Sequence, residues 1–139
     1  MGNQPMVEME LCKIKVDEKS DIQTIILKEK KGDRLLAIGI GIAEVNAIKM
    51  KLVGVVSPRP LTHDLLNNVI KQLNAAVQKI IIDRLEFNTF FAKIILKVND
   101  NQTKEIDARP SDSIAVALRS NSPIFVSEDV LKAVAASGA

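Results

Sequence analysis

The chain has 139 residues, a formal net charge of +2, 47% hydrophobic residues and 26% charged residues. This length and composition are typical of one folded domain, and they exclude a disordered chain. The small net charge does not by itself indicate a nucleic-acid-binding protein, and an aromatic content of 3% weakens any model in which bases stack on rings. We therefore interpret the chain as a single domain over residues 1–139, in which any contact with nucleic acid is made by a local site.

Cysteine usage and hydropathy indicate the cellular compartment. A single cysteine, Cys12, excludes an intrachain disulfide and is typical of a reducing environment. No apolar run approaches the roughly 20 residues that cross a bilayer, and the N-terminus lacks a signal-peptide pattern. We expect a cytoplasmic protein with no membrane partner.

The first half of the chain predicts three strands and a helix. Apolar residues alternate over 7–16, and the phase of the alternation slips at Cys12, which indicates either a β-bulge or a strand buried partly on both faces. Further strands are expected at 22–28 and 35–40, and a helix is expected at 43–53.

A second helix follows two prolines that break the chain, Pro58 and Pro60. Thr62 is the expected N-cap of this helix. The helix carries one apolar stripe, formed by Leu65, Leu66, Val69, Ile70 and Leu73.

The second half repeats this order of elements. Strands are predicted at 77–85, 90–98 and 103–108, a helix at 110–119, a short strand at 124–126 and a last helix at 128–135. A shift of 68 positions lays Glu44 on Asp112 and superposes the predicted elements of the two halves. The sequence therefore predicts two β-β-β-α repeats, at about 6–53 and 76–121, in an α+β fold of mostly antiparallel sheet packed with helices.

Polar residues are concentrated at two junctions between predicted elements, 58–64 and 107–112, and each junction places an arginine beside a proline. Arg119 lies seven residues after Asp112 and therefore on about the same helix face. These two junctions are the candidate functional site.

The same two segments resemble the bifunctional nuclease family of bacteria. The run Arg-Pro-Leu-Thr-His-Asp-Leu-Leu at 59–66 and the run Asp-Ala-Arg-Pro-Ser-Asp-Ser-Ile-Ala-Val-Ala-Leu-Arg at 107–119 are similar to motifs of that family. The segment Pro-Ile-Phe-Val at 123–126 is similar as well, so that the resemblance extends over about 6–131. It implies a hydrolase that cleaves the phosphodiester bonds of both DNA and RNA with little sequence preference.

One segment departs from the family pattern. Family members usually place a proline and an aromatic residue before the Ile-Gly pair, whereas this chain has Ala37 and Gly39 before Ile40 and Gly41. We expect the change to alter a groove wall or a subunit contact.

His63 is the candidate general base or acid, because histidine is the side chain that ordinarily titrates near neutrality. Asp64 beside it is a further catalytic candidate. The alternative is purely structural: Thr62 caps the helix, Asp64 interacts favourably with the positive helix end, and His63 is a polar surface residue.

Three carboxylates, Glu44, Asp107 and Asp112, are candidates for catalysis and for binding Mg²⁺ or Mn²⁺, the ions that commonly assist phosphodiester hydrolysis. No organic cofactor is expected. The alternative is that these acids stabilise helix starts or pair with arginines.

The candidate substrate-binding residues are Arg59, Thr62, Arg109, Ser111 and Arg119. Guanidinium groups match phosphate oxygens in paired fashion, and they equally well form structural ion pairs. The second function considered is therefore a non-catalytic regulatory module that binds an anion or a protein. In either case we expect a homodimer, because apolar residues on both strand faces need more cover than short helices provide.

Overall fold

The computed structural model describes residues 4–137. Its strands are β1 (Met6–Lys15), β2 (Ile22–Glu29), β3 (Leu35–Gly41), β4 (Ala76–Glu86), β5 (Thr89–Asn99), β6 (Gln102–Ala108) and β7 (Ile124–Ser127). Its helices are α1 (Ile42–Leu52), α2 (Thr62–Gln72), α3 (Pro110–Ser120) and α4 (Glu128–Ala136). In this described part, no helix has the length and apolar character that crossing a membrane requires.

The strands form one sheet in the order β3-β2-β1-β7-β4-β5-β6. Neighbouring strands are antiparallel except for β4 and β7, which run parallel. β7 lies at the centre and joins the first three strands to the second three. The prediction of an α+β fold with a mostly antiparallel sheet is confirmed.

The two predicted β-β-β-α units appear in order, as β1–β3 with α1 and as β4–β6 with α3. A shift of 68 positions lays α1 on α3 residue for residue. Glu44 and Asp112 consequently occupy the third position of their helices. The bulge predicted at Cys12 is also present, since the register of β1 on β2 shifts between Leu11 and Lys13.

The core is aliphatic and lies between the sheet and the helices. Its largest fully buried apolar side chains are Met9, Ile25, Leu27, Leu36, Ile48, Ile80, Ile82, Ile114, Val45, Val116 and Val126. α3 is the most deeply placed helix: seven of its eleven residues are buried, because α1, α2, β4 and β5 all pack against it. The site residues on its first turn are therefore attached to a rigid element.

α2 begins one residue earlier than predicted, at the residue that was expected to cap it. The prediction that Thr62 is the N-cap is wrong: Thr62 is the first helical residue, and Leu61 precedes it in extended conformation. The backbone N–H of Leu61 donates to the Asp64 carboxylate at 3.0 Å, so that Asp64 stabilises the helix start in place of a hydroxyl.

Four of the five residues in the apolar stripe of α2 do not face the core. Leu65, Leu66, Val69 and Leu73 are between 40% and 73% exposed, whereas Asn67 and Ile70 are buried. Polar contacts from the first turn of α2 to α3, described below, set the rotation of the helix and leave these four apolar residues on the surface.

Candidate functional site

The first turns of three helices meet at the candidate site. His63 lies on α2, Asp112 on α3 and Glu44 on α1, and Arg109 immediately precedes α3. His63 Nε2 lies 2.8 Å from Asp112 Oδ1, and Arg109 Nε donates to Asp112 Oδ2 at 2.9 Å. Arg109 Nη1 also donates to Glu44 Oε2 at 3.4 Å. We call these four residues the junction cluster.

Pro110 determines how Arg109 enters the cluster. Proline is the first residue of α3, and it restricts the residue before it to extended backbone, here φ −71° and ψ 149°. The Arg109 carbonyl accepts hydrogen bonds from the backbone N–H and the hydroxyl of Ser113, both at 3.0 Å. The backbone of Arg109 is thus held at the helix start, while its side chain remains 64% exposed.

Asp112 is the ionised centre of the cluster. Its partial burial would raise its pKa, but hydrogen bonds from Arg109 and His63 outweigh burial, so that the pKa lies below the ordinary aspartate value. The same contact with Asp112, together with Glu44, raises the pKa of Arg109. The positive ends of three helices add further stabilisation of negative charge at this place.

The charge of Asp112 determines the tautomer of His63. An ionised carboxylate only accepts hydrogen bonds, so Nε2 must carry the proton that it shares with Asp112. Nδ1 is then the basic nitrogen of the neutral ring, and within residues 4–137 it has no hydrogen-bond partner. The His63 side chain is 14% exposed.

A second ion pair supports the junction cluster. Arg119 Nε donates to Asp64 Oδ1 at 2.7 Å, and the other guanidinium nitrogens donate to the carbonyls of Ala115 at 3.1 Å and Ala47 at 3.0 Å. The Arg119 side chain is 4% exposed, which leaves almost no surface for a substrate. One buried guanidinium therefore connects α1, α2 and α3.

Asp64 carries a lowered pKa in this pair. The hydrogen bond from the backbone N–H of Leu61 is the largest cause; burial, the second largest, raises the pKa, and the hydrogen bond from Arg119 lowers it further. Asp64 faces Arg119 and the helix start, and not the His63 ring beside it in sequence.

The remaining predicted site residues lie outside the junction cluster. Arg59, Thr62 and Asp107 are exposed, and their side chains make no hydrogen bond or ion pair to any residue that the structure describes. Ser111 is buried in the first turn of α3 and lines a groove beside Arg109.

The acidic residues do not form a ready-made cation site. Glu44 and Asp112 both face the guanidinium of Arg109, which occupies the position between them that a cation would take. Asp107 contributes no contact there. Among residues 4–137, no three His, Cys, Asp or Glu side chains are grouped as metal ligands. Binding of Mg²⁺ or Mn²⁺ by these carboxylates would require Arg109 to leave both of them.

An open groove of about 390 Å³ runs from the junction cluster along the end of β3. Glu44, Arg109 and Ser111 are polar residues of its lining, and the hairpin of β4 and β5 contributes further lining residues. The other lining residues are Ile22, Ile38, Gly39, Ile40, Gly41, Asn88, Thr89, Phe90 and Pro110. The sequence did not predict that this hairpin borders the site, because its position depends on the pairing of strands far apart in the chain.

Comparison with known proteins shows which family the chain matches and which proteins resemble it. The sequence pattern of the bifunctional nuclease domain family matches residues 25–138. An uncharacterized protein of Mycobacterium tuberculosis strain H37Rv is 40% identical over 126 residues, which cover 91% of this chain and 74% of the relative. Bifunctional nuclease 1 of Oryza sativa subsp. indica and the bifunctional nuclease of Oryza minuta are each 25% identical over 121 residues, 84% of this chain. The matched region spans only 36% of either rice protein.

Proposed function

The chain belongs to the bifunctional nuclease domain family, and from this premise we propose that it is a nuclease that hydrolyses phosphodiester bonds in DNA and RNA with little sequence preference. The observation that carries the proposal is the His63–Asp112 pair, held at 2.8 Å beside an exposed arginine at the end of an open groove. This arrangement combines an oriented base with a phosphate-binding cation.

His63 is the proposed general base. Asp112 accepts a hydrogen bond from the Nε2–H group, and Nδ1 is therefore free to take a proton from water. The water oxygen attacks phosphorus, and the bond from phosphorus to the leaving oxygen breaks. The imidazolium formed is stabilised by Asp112 and returns its proton to the leaving oxygen. Water is the nucleophile because DNA has no 2′-hydroxyl group, and one mechanism then serves both nucleic acids.

Arg109 is the proposed phosphate contact. A guanidinium has five N–H donors in a planar fork, and the 64% exposure of this side chain leaves donors available beyond those used by Glu44 and Asp112. Asp112 and Glu44 hold the fork in place before a phosphate arrives, which lowers the entropic cost of binding. The exposed Arg59 is a second candidate for contact with the backbone of the nucleic acid.

The requirement for Mg²⁺ or Mn²⁺ remains a prediction, to be tested by cleavage in the presence of each ion and in EDTA. Activity that survives exhaustive chelation would overturn it. Activity that needs the ion would indicate that Arg109 rearranges when substrate is bound. No organic cofactor is proposed.

The experiment that tests the function is cleavage of fluorescent single- and double-stranded DNA and RNA by the purified wild type and by His63→Ala and Asp112→Asn. Asp100→Asn, at an exposed turn, is the matched control for the carboxylate change. Loss of turnover in the first two variants alone, with circular dichroism unchanged, would support the proposal. Binding without turnover by the wild type would favour the non-catalytic regulatory module.

The cytoplasmic location and the homodimer also remain predictions. The exposed apolar stripe of α2 supports self-association, because Leu66 and Val69 lie 40% and 45% exposed at its middle. Light scattering that gave the monomer mass of 15.2 kDa would overturn the homodimer.

A further inference from the structure

The turn between β4 and β5 carries a fully exposed aromatic ring, next in the chain to residues that line the groove. Phe87 is 99% exposed, and the three residues that follow it, Asn88, Thr89 and Phe90, line the groove. Glu86 pairs with Thr89, so Phe87 and Asn88 are the two central residues of a tight hairpin turn.

The conformation of this turn does not favour phenylalanine. Phe87 has φ 50° and Asn88 has φ 60°, which is the type I′ geometry that asparagine and glycine adopt most readily. A bulky residue with positive φ is an outlier, and a fully exposed ring adds nothing to the core. Neither the stability of the turn nor the packing of the core accounts for phenylalanine at this position.

The groove has the polarity that a nucleotide requires. Its walls are largely apolar, from Ile22, Ile40, Phe90 and Pro110, and its charged groups, Glu44 and Arg109, form an ion pair at 3.4 Å. The volume of about 390 Å³ is in the range of small-ligand sites. A planar base fits the apolar part of such a groove while its phosphate lies at the arginine.

We propose that this groove is a nucleobase subsite, in which one unpaired base enters between the end of β3 and the β4–β5 turn and stacks on Phe87, with its phosphate at Arg109. The inference rests on the proposed nuclease function and deepens it. A base held in this way has left its helical stack, so single-stranded DNA and RNA are the preferred substrates. The low aromatic content argues against stacking of many bases on rings. A single ring is nevertheless enough to stack on one base.

The Asn88 amide and the Thr89 hydroxyl stand beside the proposed base. The amide donates and accepts hydrogen bonds, and the hydroxyl, which donates to the Phe87 carbonyl at 3.4 Å, still accepts them, so that together they can contact the edges of different bases. Stacking on a ring discriminates little among bases. The subsite is thus compatible with cleavage at many sequences.

The test is binding of two fluorescein-labelled oligonucleotides to the His63→Ala protein, which removes the proposed base and so prevents cleavage during the measurement. One probe is an oligothymidylate, and the other has the same number of phosphates with abasic residues in place of thymidine. We expect the abasic probe to bind about ten-fold more weakly by fluorescence anisotropy. Adding Phe87→Ala should remove this difference, and adding Phe87→Trp should retain it. Leu73→Ala, which truncates a 73% exposed apolar side chain on α2, is the matched control and should retain it as well.

The possible results test the nucleobase subsite separately from the proposed nuclease function. Equal affinity for both probes, or discrimination that survives Phe87→Ala, would overturn the nucleobase subsite, while cleavage by the protein with His63 intact would leave the nuclease standing. Absence of both binding and cleavage would overturn the proposed function and the subsite together. Preferential cleavage of duplex over single strands by the wild type would also contradict the subsite.

Discussion

His63 Nε2 and Asp112 Oδ1 lie 2.8 Å apart although 49 positions separate the two residues in the chain. The contact joins the first turns of α2 and α3. Because the carboxylate is ionised and only accepts, it selects the imidazole tautomer whose Nδ1 is basic. Two residues from separate motifs thereby form one chemical unit.

That unit predicts non-additive kinetics. His63→Ala and Asp112→Asn should each lower kcat by about 10²–10⁴, because general base catalysis contributes about that much. The double variant should be little worse than the more severe single variant, since each change disables the same base. Single-turnover cleavage of a fluorescent oligonucleotide measures the three values. Fully multiplicative losses would show that the two residues act separately.

Arg109→Lys tests the guanidinium fork. Lysine keeps the charge but lacks the planar donors that reach Glu44 and Asp112 together, and we expect kcat/KM to fall about ten-fold. The free energy of unfolding should change by less than about 1 kcal/mol, because the side chain is 64% exposed. Arg84→Lys is the matched control, at a position 56% exposed with Glu86 as its ion-pair partner. Equal kcat/KM for both variants would rule out a role for the fork.

Arg119→Lys tests the buried support beneath the cluster. A single lysine ammonium group cannot donate hydrogen bonds to the Asp64 carboxylate and to the carbonyls of Ala47 and Ala115 at the same time. Buried acceptors therefore lose their donors. We expect the free energy of unfolding to fall by about 2–4 kcal/mol, measured by urea denaturation. Arg109→Lys is the exposed counterpart. A loss below about 0.5 kcal/mol would contradict the structural role of Arg119.

The lowered pKa values of Asp64 and Asp112 predict acid sensitivity. A carboxyl group whose pKa is lower in the folded than in the unfolded state contributes its full stabilisation above the unfolded value, about 3.9, and loses it as pH falls through the folded value. The difference in unfolding free energy between the wild type and Asp64→Asn should therefore be largest at neutral pH and shrink below about pH 4. Urea titrations at several pH values measure this difference. A difference that stays constant down to pH 2 would contradict the assignment.

The conformation of the β4–β5 turn predicts that replacing Phe87 stabilises the fold and weakens the binding of nucleic acid. Phe87→Asn places a residue suited to positive φ in the type I′ turn, and should raise the free energy of unfolding by about 0.5–1 kcal/mol. The same change removes the proposed stacking ring and should weaken binding of oligothymidylate. Val56→Asn, at a 90% exposed position without positive φ, should produce neither effect. A loss of stability in Phe87→Asn would show that the ring supports the fold.

Local patterns were sufficient to predict most of the fold. Alternating apolar residues located the strands, and the shift of 68 positions matched α1 to α3 exactly because both halves repeat the same order of elements. The rotation of α2 could not be predicted in this way. Its apolar stripe indicated a buried face, but contacts of His63 with Asp112 and of Asp64 with Arg119 turn the stripe outward.

The sequence identified the residues of the candidate site but not their pairing. The prediction that Glu44 and Asp112 occupy matching helix starts followed from the repeat, whereas their shared contact with Arg109 depends on the packing of α1 against α3. The role proposed for Phe87 was not apparent from the sequence for the same reason. The sequence predicted strands at 77–85 and 90–98, but the turn that joins them and the position of its residues next to the groove depend on the assembled sheet.

The central position of β7 has a consequence for biosynthesis. β7 is the last of the seven described strands in chain order, yet it pairs with β1, which is the first, and with β4. During translation the two halves of the sheet remain unjoined, with their inner edges open, until residues 124–127 leave the ribosome. Contacts between segments so distant in sequence form slowly, and open strand edges invite pairing with other chains. The nascent protein therefore passes through a period of aggregation risk that ends only when this four-residue strand is inserted.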